Sequence, residues 1–250
     1  MQEKFTQAKR YIGLDEIRGC LLISMMLYHL SWDLFDAFNL DITALTTGWL
    51  GLWQELTAGG FIMLSGFCLK FSKAPARRGL IVFLAGLLVT AATYMFNQRL
   101  PVFFGILTFI GSAMLLTTPL LKHFTDKPSF GFLYCLGIYC CVRKMYLGYI
   151  GIGSVKFAMP HDFYANWLTT YLGFPFDGFT SLDYFPLFPH LFVFWSGCFL
   201  YNILINSSFI TSLEVSHVKP LAFLGKHSLA VYLAHQPILV TLIEFYKTLQ

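Results

Sequence analysis

Residues 79–97 read GLIVFLAGLLVTAATYMFN, nineteen consecutive positions without a charged side chain. An α-helix needs about 20 apolar residues to cross the ~30 Å hydrocarbon layer of a bilayer, so this stretch predicts a membrane-spanning helix. The whole chain has the same character, with 56% hydrophobic and only 12% charged residues in 250. A soluble domain carries roughly 25% charged residues, and a disordered chain needs high polarity as well. The composition therefore excludes both classes and predicts a polytopic membrane protein.

Six more apolar stretches of similar length flank this one. Together the seven predicted spans are 17–37, 49–70, 79–97, 102–121, 129–150, 187–206 and 226–246. They predict an all-α transmembrane helix bundle of about seven spans, with residues 1–250 forming a single integral-membrane domain. The fifth span contains Arg143 and Lys144, and a charge near the bilayer centre costs about 2.5–3.5 kcal/mol on insertion scales. Either this span ends near Val142, or the two charges lie in a polar interior.

The basic residues predict the orientation, because cytoplasmic loops of membrane proteins are enriched in Lys and Arg. With the N-terminus in the cytoplasm and the C-terminus outside, 12 of the 17 basic residues fall on the inner side. The inner set is Lys4, Lys9, Arg10, Arg18, Lys70, Lys73, Arg77, Arg78, Lys122, Lys127, Lys219 and Lys226. The outer set is Arg99, Arg143, Lys144, Lys156 and Lys247. We therefore expect a cytoplasmic N-terminus.

Charge and cysteine content argue against several classes of function. The net charge of +4 is too small to indicate a nucleic-acid partner. The six cysteines lie in apolar stretches and their spacing fits no zinc pattern, so we expect them to serve packing and expect no metal. No repeat is visible, and neither are the inverted halves typical of many transporters.

Ionisable residues inside apolar stretches are the best guide to function, because lipid tolerates them poorly. His29 and Asp33 in the first span are four residues apart and share one face of a helix. A carboxylate beside a His fixes its tautomer and raises its basicity, as a general base or nucleophile requires. The alternative interpretation is a satisfied polar pair that holds two spans together.

Asp15 and Arg18 form a second pair, near the predicted cytoplasmic end of the same span. An Arg can bind a phosphate through two hydrogen bonds, so one hypothesis is contact with an anionic ligand that arrives from the cytoplasm. Lys70, Lys73, Arg77 and Arg78 add positive charge at the same predicted face. The alternative is an interfacial ion pair with a cluster that only sets the topology.

Further polar groups lie in or beside the last two spans. His235 and Gln236 precede Pro237, which frees a backbone carbonyl in mid-helix, and such a site must face protein or a water-filled cavity. Asp183 and His190 flank the entry to the sixth span at the predicted outer face. Together with the first-span groups, these clusters predict one buried polar cavity.

The same clusters resemble the catalytic-domain family of heparan-alpha-glucosaminide N-acetyltransferase, particularly its compact bacterial members. The stretches that carry the resemblance are Gly13-Leu-Asp-Glu-Ile-Arg-Gly19 with His29, Phe61-Ile-Met-Leu-Ser-Gly66, Phe104-Gly-Ile-Leu-Thr-Phe-Ile-Gly111, Asp183-Tyr-Phe-Pro-Leu-Phe-Pro189, and Leu224-Gly-Lys-His-Ser-Leu229 with His235-Gln-Pro237. A more distant similarity links the chain to the acyltransferase-three membrane family. Thr108 and His190 depart from the pattern, because bacterial relatives often have His and Trp at these positions.

The resemblance implies a multi-pass acyltransferase of a bacterial inner membrane. It implies acetyl-coenzyme A as cytoplasmic donor and an amino or hydroxyl group of a sugar or glycan as acceptor. The resemblance assigns the catalytic role to His29, and the residue spacing adds Asp33 as its partner. Arg18, Asp15, Arg77 and Arg78 are the candidate donor-binding residues, and Asp183, His190, His235 and Gln236 are the candidate acceptor-binding residues.

Two other classes of function stay open on the sequence alone. A proton-coupled transporter or glycan exporter could use the same buried His and Asp as a proton relay. A membrane scaffold without catalysis would be indifferent to coenzyme A. The expected partners are a sugar or glycan acceptor and membrane lipid, with no nucleic acid, and the oligomeric state leaves no signature.

Overall fold

The computed structural model describes residues 11–38, 40–41, 43–96 and 101–249. Lys4, Lys9, Arg10 and Arg99, used above for the predicted orientation, lie outside these ranges. The described chain is mostly helical. Its α-helices are α1 (Ile12–Ala37), α2 (Thr43–Thr46), α3 (Gly48–Leu69), α4 (Pro75–Phe96), α5 (Ile106–Thr117), α6 (Pro128–Val142), α7 (Trp167–Leu172), α8 (Leu187–Leu204), α9 (Ser208–Ser212), α10 (Lys219–Lys226) and α11 (Ser228–Thr248). Short 3-10 helices follow at Thr118–Thr125, Met145–Leu147 and His161–Phe163.

Five helices of the described chain are long and apolar enough to cross a membrane. They are Pro75–Phe96, Ile106–Thr125, Pro128–Leu147, Leu187–Leu204 and Ser228–Thr248, where two include the 3-10 turns that continue α5 and α6. They coincide with five of the seven predicted spans. α1 and α3 occupy the other two predicted spans and are long enough, but they fall short of the same standard of apolarity and low charge. The count of seven spans therefore stays a prediction.

A small β-hairpin corrects the expectation of an all-α fold and the end of the fifth predicted span. α6 ends at Val142, a 3-10 turn at Met145–Leu147 continues it, and the chain then forms β1 (Tyr149–Ile152) and β2 (Val155–Ala158). Because the apolar helical stretch runs to Leu147, whether Arg143 and Lys144 lie within the span stays open. The strands pair antiparallel, with Ile152 opposite Val155. Gly153 has φ +61° at the first position of the two-residue turn, where hairpins need a residue without a Cβ. The predicted span 129–150 overlaps the hairpin only at residues 149 and 150, where apolar residues fit a strand equally well.

The chain forms two compact units, one from residues 1–61 with 204–250 and one from residues 62–203. In the described part of the first unit, α1 packs against α10 and α11. A Cβ at Gly225 in α10 would overlap the carbonyl oxygen of Asp15 in α1, so the two helices touch backbone to backbone. Trp53 Nε1 donates to Ser24 Oγ at 2.7 Å, which links α3 to α1. The first turns of α1 therefore pack directly against α10.

The second unit contains two helix pairs that also approach closely. α4 packs along α5, and the end of α3 packs against α8. The α3–α8 contact is reciprocal: Gly66 faces the Phe194 carbonyl, and Gly197 faces the Met63 carbonyl. Small residues that let helix backbones approach are typical of helix contacts in membranes, where apolar burial from water supplies no driving force. Phe109 and Phe194 are fully buried in this unit.

Candidate active site

Two histidine rings from opposite ends of the sequence meet in the first unit. His29 lies in the second half of α1 and His235 lies near the middle of α11, and their ring centroids are 5.0 Å apart at an interplanar angle of 52°. The two helices pack on each other in this unit, which brings the rings together. His29 is half-buried, and its ring makes no hydrogen bond within the described part of the chain. Its nitrogen atoms therefore keep their capacity to exchange a proton with a ligand.

Next to the two rings, a carboxylate one turn after His29 and the amide that directly follows His235 join the same two helices. Gln236 Nε2 donates to Asp33 Oδ1 at 3.0 Å and to Asp33 Oδ2 at 3.1 Å. Asp33 therefore has Gln236 as its partner, and the described contacts include no hydrogen bond between Asp33 and His29. The four-residue spacing correctly puts His29 and Asp33 on one face, but that face meets α11, which offers its own donor to the carboxylate.

The hydrogen bond that His235 makes fixes its tautomer. Its Nδ1 lies 2.5 Å from the carbonyl oxygen of Tyr232. Because a carbonyl can only accept, Nδ1 carries the hydrogen, and Nε2 of the neutral ring is an acceptor. Nε2 is buried and has no hydrogen-bond partner within the described ranges, and the same is true of Gln236 Oε1. These two neighbouring residues thus present acceptor atoms that suit a hydroxyl or amine of a ligand.

The N-terminal end of α1 holds the predicted pair of Asp15 and Arg18. Arg18 Nη1 donates to Asp15 Oδ1 at 2.8 Å and to the carbonyl oxygen of Gly225 at 3.4 Å. The guanidinium is partly exposed, with 23% of the side chain accessible. The pair therefore helps to hold α10 on α1, which is a structural role beside the predicted ligand contact.

Glu16 is a polar residue of this region that sequence reasoning missed. Its Oε1 accepts hydrogen bonds from the backbone N–H groups of Val218 and His217, both at 2.7 Å, and from Ser216 Oγ at 2.8 Å. The bond from Val218, followed by that from Ser216, holds the pKa of Glu16 below its ordinary value. The partners lie about 200 residues away, and nothing in the local sequence indicates them.

The remaining predicted site residues belong to the second unit. Arg77 and Arg78 are exposed in the first turn of α4. Asp183 Oδ2 accepts the N–H of Ile106 at 3.0 Å, and so caps the start of α5. His190 Nδ1 donates to the Pro186 carbonyl at 3.0 Å. Asp183 and His190 thus have structural contacts of their own, and a role in binding an acceptor stays a prediction.

Comparison with known protein families decides the class of protein. The family model of the catalytic region of heparan-alpha-glucosaminide N-acetyltransferase matches residues 10–237. The chain belongs to this family. The match includes all ten predicted site residues and ends at Pro237, directly after His235 and Gln236. Neither the search of curated proteins nor the search of solved structures found a match.

Membership of the N-acetyltransferase family confirms the resemblance and implies a membrane acyltransferase. The apolar helices agree with an integral membrane protein. Within the described residues, no group of three or more His, Cys, Asp or Glu is placed to hold a metal ion. In this family member, His29, Asp33, His235 and Gln236 form a cluster that brings two imidazole rings and a carboxylate together.

Proposed function

We propose that this family member is a transmembrane acyltransferase that moves an acetyl group from cytoplasmic acetyl-coenzyme A to an amino or hydroxyl group of a sugar or glycan. The observation that carries the proposal is the contact of His29 with His235. Nδ1 of His235 is bound to a backbone carbonyl, and its buried Nε2 is an acceptor without a partner within the described ranges. Acyl transfer to an amine or alcohol needs such a base, because the nucleophile must lose a proton as it attacks.

The two rings suit both halves of that reaction. The amine nitrogen or hydroxyl oxygen of the sugar attacks the thioester carbonyl of acetyl-coenzyme A, and the proton of that amine or hydroxyl moves to the imidazole of His29. The carbon–sulfur bond then breaks, and the thiolate of coenzyme A takes up a proton from the imidazolium. His235 Nε2 and Gln236 Oε1 accept hydrogen bonds from the acceptor's N–H or O–H groups and orient it. A route through an acetyl group carried on His29 has the same proton balance.

The other predicted residues have supporting roles in this scheme. The hydrogen bonds from Gln236 to Asp33 hold α11 against α1, so that the two histidines keep their spacing. Arg18 and Asp15 precede His29 on the same helix, and the rise of eleven positions from Arg18 to His29 is roughly 16 Å. We assign Arg18 and Asp15 of the first unit, and Arg77 and Arg78 of the second unit, to binding of the donor, and Asp183 and His190 to binding of the acceptor. We place the protein in a bacterial inner membrane, with its N-terminus in the cytoplasm.

The test is transfer of radiolabelled acetyl groups from acetyl-coenzyme A by purified protein. Glucosamine-type and glycan acceptors serve as substrates. His29→Ala should lower kcat/KM by about 100-fold or more, which is the usual contribution of a general base. The matched control is His161→Ala, because His161 lies on the surface 3.6 Å from Asp177 and outside the cluster. Undiminished transfer by His29→Ala would refute the assignment, and substrate counterflow without coenzyme A would favour the transporter alternative.

A further inference from the structure

Lys70 is a cation of the second unit that contacts two neutral side chains of another helix. It directly follows the last residue of α3 and is half-buried. Its Nζ donates to Asn202 Oδ1 at 3.1 Å, and it lies 5.5 Å from the centre of the Tyr201 ring. Both partners come from the end of α8, and both are uncharged. The reciprocal glycine contact between α3 and α8 fixes the position from which the lysine extends.

The orientation of Asn202 is itself determined by other bonds. Its Nδ2 donates to the carbonyl oxygen of Phe124 at 2.8 Å and to that of Cys198 at 3.1 Å. An amide nitrogen has two hydrogens, so both are used and Oδ1 must face Lys70. The ammonium is therefore held in place by a rigid neutral acceptor and by the face of an aromatic ring.

The ammonium has hydrogen-bonding capacity left over. It carries three donors, and one of them is used by Asn202. The four acidic residues of this unit are Asp126, Asp162, Asp177 and Asp183. Within the ranges that the structure describes, no carboxylate forms an ion pair with Lys70. A partly desolvated charge without a counterion is costly, and an anion that enters the site lowers that cost.

The neighbouring charges favour a phosphate over a weaker anion. Lys73, Arg77 and Arg78 follow within eight residues and are exposed. Phosphate offers several strongly charged oxygens, and lysine binds it as a point charge. We propose that Lys70, oriented by Asn202 beside Tyr201, forms a phosphate-binding site. The phosphate could belong to coenzyme A or to the headgroup of an anionic lipid, and only the coenzyme A source rests on the proposed function.

The test uses the full-length purified protein in two arms. In the first arm, binding of coenzyme A is measured by calorimetry. In the second arm, the melting temperature is compared in nanodiscs of phosphatidylcholine with and without phosphatidylglycerol. Lys70→Gln should weaken coenzyme A binding at least tenfold, or abolish the stabilisation by phosphatidylglycerol. The matched control is Lys156→Gln, which removes the same charge from an exposed lysine that also lies over a tyrosine ring, that of Tyr149, and should change either result by less than threefold.

Lys70→Arg keeps the charge and should keep the binding, which separates a loss of charge from a loss of fold. If Lys70→Gln unfolds, Lys70→Met replaces it, because it retains the apolar stem. The site is refuted if the wild type responds to neither probe, or if Lys70→Gln and Lys156→Gln behave alike in both arms. A wild type that ignores coenzyme A but responds to phosphatidylglycerol through Lys70 refutes the donor assignment and leaves the phosphate site standing.

Discussion

At the scale of single residues, the first unit is organised by polar side chains that bind backbone or side-chain groups of distant segments. Gln236 reaches both carboxylate oxygens of Asp33, and Glu16 accepts three hydrogen bonds from residues 216–218. Charge-assisted hydrogen bonds of this kind are stronger than neutral ones. The two carboxylates thus tie both ends of α1 to the C-terminal part of the chain, and His29 lies between these attachments.

The Glu16 contact should make stability depend on pH. Hydrogen bonds from Val218, Ser216 and His217 favour the carboxylate and lower its pKa in the folded protein. The contribution is therefore complete above the ordinary glutamate pKa of about 4.3 and is lost as pH falls through the lower folded value. We expect Glu16→Gln to lower the melting temperature at pH 7, and the gap to the wild type to narrow below about pH 4.

Melting of detergent-solubilised protein between pH 7 and pH 3.5 measures this gap. Glu214→Gln is the control, because Glu214 lies in the same connection and is not one of the residues that donate to Glu16. A gap between Glu16→Gln and the wild type that stays constant over the whole range would show that the charge of Glu16 contributes nothing.

At the scale of helices and strands, close backbone contact decides how the second unit packs. Gly66 of α3 leaves no room for a side chain, since a Cβ there would overlap the Phe194 carbonyl oxygen of α8. Gly59, seven residues earlier in the same helix, has no atom within 4 Å of the position of a Cβ. The two glycines are thus a matched pair, one at a contact and one in open space.

Substitution of each glycine by alanine tests the contact. Gly66→Ala should cost about 1–3 kcal/mol through overpacking and helix displacement. Gly59→Ala should be neutral or should stabilise the helix by up to about 1 kcal/mol. Denaturation of both variants in the same detergent gives the comparison. Equal stability of the two variants would contradict the close approach of α3 and α8.

The helices were predictable from the sequence because membrane-spanning length is a local property. The predicted span 187–206 compares with α8 at Leu187–Leu204, and 226–246 compares with α11 at Ser228–Thr248. The hairpin at residues 149–158 was missed, since a short apolar run with β-branched residues fits a strand or a helix. Whether such a run forms a strand depends on pairing with a second strand, which the local sequence does not determine.

Partners of the site residues were less predictable, because packing chooses them. The sequence placed His29 and Asp33 on one face, and it marked His235 and Gln236 as polar residues beside a proline. It could not indicate that Asp33 prefers Gln236 over His29. That choice depends on the rotation of α11 against α1, which the packing of the two helices determines.

At the scale of the whole molecule, the scarcity of charge governs topology. The chain has 17 basic and 13 acidic residues in 250, and the basic ones are concentrated in a few connections. α4, α8 and α11 have the length and apolarity of membrane spans, as do α5 and α6 together with the 3-10 turns that continue them, whereas α1 and α3 carry more polar residues. In a family of membrane acyltransferases, polar residues within a span are expected where they line a site rather than face lipid. We therefore expect α1 and α3 to cross the membrane despite their polarity.

Chemical labelling at three exposed positions tests this topology. A membrane-impermeant maleimide is applied to intact cells that express Asp41→Cys, Lys73→Cys or Ser154→Cys, with the unmodified chain as background. With seven spans and a cytoplasmic N-terminus, Asp41→Cys and Ser154→Cys should be labelled from outside, and Lys73→Cys only after permeabilisation. Asp41 is decisive because it lies between α1 and α3.

If these two helices stayed on one side of the membrane, Asp41→Cys would label together with Lys73→Cys. A fully reversed pattern would instead contradict the cytoplasmic N-terminus, and with it the side from which acetyl-coenzyme A approaches Arg18.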